Sequence, residues 1–113
     1  MKRTEIWLIN LDPTIGAEIR KTRPAIIVND DALGILPLRV IVPITDWNER
    51  YSNADWMVKL EVNTTNKLKK TSVADCFQVR SLSQTRMVKK IGQISPSKMT
   101  EIEISLAKVL KIK

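Results

Sequence analysis

Residues 12–28 read DPTIGAEIRKTRPAIIV, and how that stretch is parsed decides the fold of the whole chain. Asp12 and Pro13 end whatever precedes them, because Asp favours turn initiation and Pro cannot donate to a strand ladder. Gly16 supplies a backbone conformation that other residues resist. At the far end, Pro24 holds Arg23 extended. The apolar run AIIV at 25–28, closed by Asn29, Asp30 and Asp31, has the pattern of a buried central strand. The stretch is therefore strand end, loop and strand start, with Glu18, Arg20, Lys21 and Arg23 concentrated between the two strands. Such a cluster is either a solvated charged turn or a set of polar groups held in place by a sheet, and the residues alone leave both open.

Upstream, TEIWLINL at 4–11 predicts a strand covered on both faces, with Trp7 in the core. Downstream, 30–37 is rich in turn formers and leads to a second apolar strand at 38–43. Thr45 stands where that strand gives way to a loop, either as a turn former or as a functional group on a scaffold. The polar segment 47–55 reads as an exposed loop. Its Trp47 and Tyr51, with Trp56 behind them, suit stacking on unpaired bases and anchoring of a protein partner equally well. A strand is predicted at 56–62 and a basic loop at 63–70, where Lys67, Lys69 and Lys70 either track phosphates or face solvent. A further strand is expected at 71–80 with a bulge near Asp75, then a turn or one helical turn at 81–85, and a strand at 87–94. Ser95 as N-cap and Pro96 at the first position start a helix. Met99, Ile102, Leu106, Val109 and Leu110 follow at helical spacing. The pattern predicts five to seven short strands and one C-terminal helix, arranged as a small barrel or a strongly curved sheet.

A chain of 113 residues fits one domain that buries its core without a stapling cofactor. No apolar run approaches the ~20 residues of a membrane span, and the N-terminal apolar segment is too short for a signal-peptide core. The single Cys76 agrees with a reducing compartment, so cytoplasmic residence is expected. The net charge of +7 fits an anionic partner, and it also fits simple solubility. With no histidine in the chain, any enzyme here works without imidazole, and no Cys/His cluster exists for zinc. Neither a metal nor another cofactor is expected.

Four segments, EIWLINLDPTIGAEIRKTRPAIIV (5–28), VIVPIT (40–45), VADCFQVRSL (73–82) and KKIG (89–92), together resemble the MazF/PemK family of toxin endoribonucleases. The most specific part is G-x-E at 16–18, then R-P at 23–24, then P-I-T at 43–45. The resemblance runs from Glu5 to the last helix and implies one toxin domain over 1–113. The implied fold is mainly β (α+β), an SH3-like small barrel shared with the gyrase poison CcdB, with a C-terminal helix. It also implies a homodimer that cleaves single-stranded RNA and is neutralised by an antitoxin. An acidic antitoxin would complement the +7 charge.

Carried over by motif, the family's catalytic arginine and threonine fall on Arg23 and Thr45, its loop glutamate on Glu18, and its RNA-proximal glutamine on Gln78. Arg20, Lys21, Lys69 and Asn29 are the further RNA-contacting candidates. Some PemK-like members place a histidine where this chain has Ala17, and an arginine and an aspartate where it has Asp75 and Phe77. That alternative catalytic set is absent. The chemistry implied is attack by the RNA's own 2′-hydroxyl, with Arg23 and Thr45 stabilising the phosphorane and a 2′,3′-cyclic phosphate and a 5′-hydroxyl as products. A guanidinium with a pKa above 12 is a poor base, so the proton acceptor stays open between Arg23 and Glu18. The rival readings are a gyrase poison acting by protein binding, an RNA-binding barrel that does not cut, and a plain interaction domain.

Overall fold

In the computed structural model, which describes residues 1–113, the apolar runs become seven strands and a helix. The strands are β1 (Glu5–Asn10), β2 (Thr22–Ile27), β3 (Leu38–Asp46), β4 (Met57–Leu60), β5 (Ser72–Asp75), β6 (Arg80–Ser83) and β7 (Met87–Gln93), and the helix is α1 (Pro96–Leu110). All pairings are antiparallel, in the order β4-β5-β3-β2-β1-β7, with β6 added to β3. β3 is the hub: it pairs with β2, with β6 through Leu38–Ile41, and with β5 through Ile44–Asp46. Pro43, which has no N–H to give, falls between the β6 and β5 pairings.

The period-2 alternation of the strands sorts side chains onto two faces. On one face Ile6, Ile26, Val42, Ile44, Val58 and Leu60 pack with Met99 and Ile102 of α1. On the other, Ile9, Leu11, Ala25, Ile27, Ile41 and Leu82 form a smaller core, with Trp7, Ile19 and Met87 against it. α1 begins as its sequence predicts, the Ser95 hydroxyl accepting from the Lys98 N–H at 3.2 Å with Pro96 in the first turn. Leu106 and Val109 pack onto the core while Leu110 stays exposed. The helix is neither long nor apolar enough to cross a membrane.

Three expectations are corrected. Residues 71–80 are not one bulged strand: the Asp75 carboxylate accepts the Phe77 N–H at 3.1 Å and starts a 3₁₀ turn, Cys76–Gln78, that separates β5 from β6. Residues 81–83 are strand rather than turn, because the first half of β3 offers an open edge and tertiary pairing outweighs the polar composition of the segment. A 3₁₀ turn does follow, at Gln84–Arg86, with the Ser83 hydroxyl accepting from Thr85 N–H. Thr45 lies within the end of β3, paired with Val73, rather than beyond it.

The sheet is open, with β4 and β7 as its two ends. The β4–β5 loop spans the gap, Gln93 N–H donating to Thr65 O at 3.2 Å. A Cβ at Gly92 would lie 2.6 Å from the carbonyl oxygens of both Thr65 and Asn66. Gly92→Ala is therefore expected to destabilise the chain by about 1–3 kcal/mol, since backbone must move to admit the methyl group. Chemical denaturation checks this, and an unchanged midpoint would contradict it.

Glu5 anchors the start of β1. Its carboxylate accepts from Trp7 Nε1 and Lys2 N–H at 2.9 Å each and pairs with Lys90 at 3.2 Å. Burial alone would raise its pKa, but those donors and the nearby N-terminus overcome it and hold the group at about 2 instead of 4.5. Because the folded value is the lower one, this stabilisation is present above pH 4.5 and is lost as pH falls through 2. Glu5→Gln is therefore expected to flatten the fall in stability between those pH values, measured by Trp fluorescence in denaturant titrations; an unaltered pH profile would contradict it.

Candidate functional site

Arg23 pairs with Ile9 of β1, so it projects on the face of the smaller core. The β2–β3 register runs Ile27 to Ile41, Ile26 to Val42 and Ala25 to Pro43. The pairing ends there, and Arg23 and Thr45 each lie two residues further on, on the same face of their strands as Ala25 and Pro43. The row of Thr45 continues through Val73 of β5 to Lys59 of β4. Val73 is fully buried, Lys59 is part-exposed, and the Lys59 ammonium sits 4.7 Å from the Trp47 ring centre. Thr45 and Lys59 thus flank the buried Val73 in one row.

Arg23 is half-buried and forms no ion pair; its Nε donates weakly to Arg20 O at 3.4 Å. A guanidinium left without a carboxylate keeps most of its donors for a ligand. Gly16, at φ +60°, has the left-handed backbone expected of it, and Lys21 adopts φ +71° as the β1–β2 loop rejoins the sheet. Arg20 and Lys21 are exposed. Gln78 pins this loop to the sheet: its Oε1 accepts Ile19 N–H at 2.6 Å, and its Nε2 donates to Ala17 O at 3.2 Å and Asp75 Oδ2 at 3.3 Å. The Glu18 carboxylate accepts Ile15 N–H at 2.7 Å within the loop and does not touch Arg23. Glu18, Gln78 and Pro43 nevertheless line one pocket of about 230 Å³. Pro43 is two residues from Thr45, so the pocket and Thr45 share a face of β3, about 7 Å apart along the strand.

Beside Arg23 opens a groove of about 600 Å³, into which Lys67, Lys69, Lys70, Lys89 and Lys90 converge. Lys70 is paired with Asp46 at 2.9 Å and Lys90 with Glu5, whereas Lys67, Lys69 and Lys89 form no ion pair. The β4–β5 loop that carries three of these lysines is ordered by buried Asn66. Its Oδ1 accepts from Asn63 and Leu68 N–H, and its Nδ2 donates to Glu61 O at 2.8 Å. Asn29 is separate from all of this. Its amide accepts Val40 N–H at 3.0 Å at the opposite end of β2, about 20 Å from Arg23 along the strand. No three Asp, Glu or Cys side chains converge anywhere in the chain as metal ligands do.

Burial raises the Asp75 pKa against the hydrogen bonds it receives from Phe77 and Gln78. Burial, helped by the Asp75 charge, pushes the Cys76 thiol up to about 12, so Cys76 is an inert core residue. Lys59, Arg80, Lys89 and Lys90 were not among the residues expected at the site. The fold brings them there; Lys59 carried a signal in its alternation with Val58 and Leu60, and Arg80 in its place two residues after Gln78 in the family's D-Q-x-R pattern.

Residues 2–110 match the family described as PemK-like, MazF-like toxin of type II toxin-antitoxin system. The chain is 33% identical over 112 residues to "Endoribonuclease PemK" of Escherichia coli, covering 97% of this chain and 82% of that protein. It is 30% identical over 115 residues to "Endoribonuclease MazF9" of Mycobacterium tuberculosis, covering 94% and 92%. Its fold superposes on MazF from Deinococcus radiodurans with a TM-score of 0.83 at 20% identity, covering 99% of this chain and 97% of that one. A mycobacterial endoribonuclease solved with its cognate antitoxin gives 0.80 at 18% identity, covering 100% and 97%.

Proposed function

The chain belongs to the PemK-like, MazF-like toxin family of type II toxin-antitoxin systems, and we propose that it cuts single-stranded RNA without a metal, using Arg23 and Thr45 at the scissile phosphate. As a toxin of this family it is an endoribonuclease. One observation above all supports the assignment of residues: Arg23 and Thr45 lie two residues beyond the last β2–β3 pair, Ala25 with Pro43, and on the same face of their strands. RNA supplies its own nucleophile, so the protein needs in-line positioning, a proton acceptor for the 2′-hydroxyl, and donors for the charge that builds on the nonbridging oxygens. The free guanidinium of Arg23 and the hydroxyl of Thr45 are those donors, each such donor being worth about 3 kcal/mol in the transition state. Glu18 is the carboxylate in the pocket on the Thr45 face, and it takes the 2′-hydroxyl proton after leaving the Ile15 N–H. Bonds of this kind rearrange when substrate binds. The departing 5′-oxygen is protonated from water in the open cleft.

The lysine groove beside Arg23 holds the backbone of the flanking nucleotides, with Lys69, Lys67 and Lys89 as unpaired cations, and Arg20 and Lys21 add charge from the loop. Gln78 exchanges its loop contacts for the substrate, while Asn29, tied to Val40, has a structural task. The protein acts in the cytoplasm as a homodimer, and its antitoxin presents an acidic segment to this basic surface. The test is incubation of the purified protein with a defined RNA as a single strand, as a duplex, and as the DNA of the same sequence. Only single-stranded RNA should be cut. RNA bound with a steep salt dependence but recovered intact would favour a non-catalytic barrel, and RNA neither bound nor cut would favour a protein-directed poison.

A further inference from the structure

Trp56 and Phe77 are the largest aromatic surface left to solvent: Phe77 is 67% exposed and Trp56 42%, and they meet edge to face with ring centres 6.4 Å apart. Their backbone is rigid. Cys76 N–H donates to Trp56 O at 2.8 Å, Phe77 N–H donates to the Asp75 carboxylate, and the Cys76 side chain is fully buried beneath them. Phe77 is also a wall of the pocket that holds Glu18, Gln78, Arg80 and Pro43. A ring beside an amide and a guanidinium is the chemistry that receives an unpaired base, its face on the aromatic and its edge on polar groups. Because Pro43 and Thr45 share a face of β3, this pocket lies within one nucleotide's reach of the proposed scissile phosphate.

We propose that Trp56 and Phe77 form a stacking subsite for the base of a nucleotide flanking the cleaved bond, with Phe77 as its principal residue. This rests on the endoribonuclease reading and adds a determinant of where the RNA is cut. An exposed ring contributes little to folding, so Phe77→Ala keeps the fold, and the Asp75 carboxylate still accepts the backbone N–H of residue 77.

The experiment measures binding by fluorescence anisotropy to a single-stranded RNA carrying one 2′-deoxy nucleotide at the cut site, and to the same RNA with an abasic residue at each flanking position in turn. Phe77→Ala should weaken binding to the intact RNA by about 10- to 100-fold, the loss typical of one stacked base. Phe77→Tyr should stay close to the parent. One abasic position should weaken the parent equally while costing Phe77→Ala nothing more. Equal binding by parent and Phe77→Ala, or a penalty that persists on every abasic RNA, overturns the subsite. An unchanged RNA affinity with weakened binding to an acidic antitoxin peptide also overturns it and makes the pair a protein anchor. Cleavage of the all-ribose RNA by the parent is run alongside. Its failure would defeat the endoribonuclease reading, whereas cleavage with an indifferent Phe77 defeats the subsite alone.

Discussion

Replacing Arg23 with alanine is expected to lower the cleavage rate by at least about 10²- to 10³-fold while moving the thermal midpoint by no more than about 3 °C. The two halves of that result have separate physical origins. Arg23 forms no ion pair, and its one intramolecular hydrogen bond, to Arg20 O, is long at 3.4 Å. Folding therefore loses little when the guanidinium is removed. Catalysis loses the donors aimed at the phosphorane oxygens, and the cation in the Thr45 row, Lys59, is two strands away on β4. Pro24 sharpens the effect by holding Arg23 in an extended conformation. Arg23→Lys keeps the charge but not the planar fork, and should recover only part of the rate. A large drop in melting temperature for Arg23→Ala would instead make this residue a structural one.

Glu18→Gln is expected to reduce kcat by about 10²- to 10⁴-fold, the usual contribution of a positioned general base. The substitution separates chemistry from architecture. A glutamine Oε1 can still accept the Ile15 N–H that the carboxylate accepts at 2.7 Å, so the β1–β2 loop keeps its shape while its proton acceptor is lost. With no histidine in the chain and a guanidinium too basic to serve, no other side chain lining that pocket can take the proton. Single-turnover rates should fall by that factor in the variant while its affinity for RNA stays that of the parent. If Glu18→Gln cuts RNA at close to the parent rate, the carboxylate is a loop cap and the proton leaves by another route.

Local chemistry in the sequence was a sound guide wherever neighbours in the chain determine the outcome. Pro24 before an apolar run defines β2, Ser95 with Pro96 starts α1, and Gly16 takes the left-handed backbone of the loop. It was a poor guide wherever tertiary pairing decides. Residues 81–83 carry serines that suit a turn, yet they complete the open edge of β3. Phe77 is an apolar residue in a segment that reads as a bulged strand, but the Asp75 cap turns the chain into a 3₁₀ turn and leaves the ring in solvent.

The site divides in the same way. Arg23, Thr45, Glu18 and Gln78 were named through motifs, and they gather around one face and its loop. Asn29 was named by its place after the strand, and its amide is spent on Val40 at the other end of β2. Lys89 and Lys90 look like ordinary solvated residues of a strand until the sheet brings β7 beside the β4–β5 loop and all five lysines face one groove.

The most direct test of the account is the chemistry of the fragment ends when the purified protein cuts a defined single-stranded RNA in the presence of a chelator. The account predicts cleavage that persists in chelator, with mass spectrometry finding 2′,3′-cyclic phosphate on one fragment and 5′-hydroxyl on the other. Fragments ending in 5′-phosphate, or activity that appears only when a divalent metal is added, would contradict it.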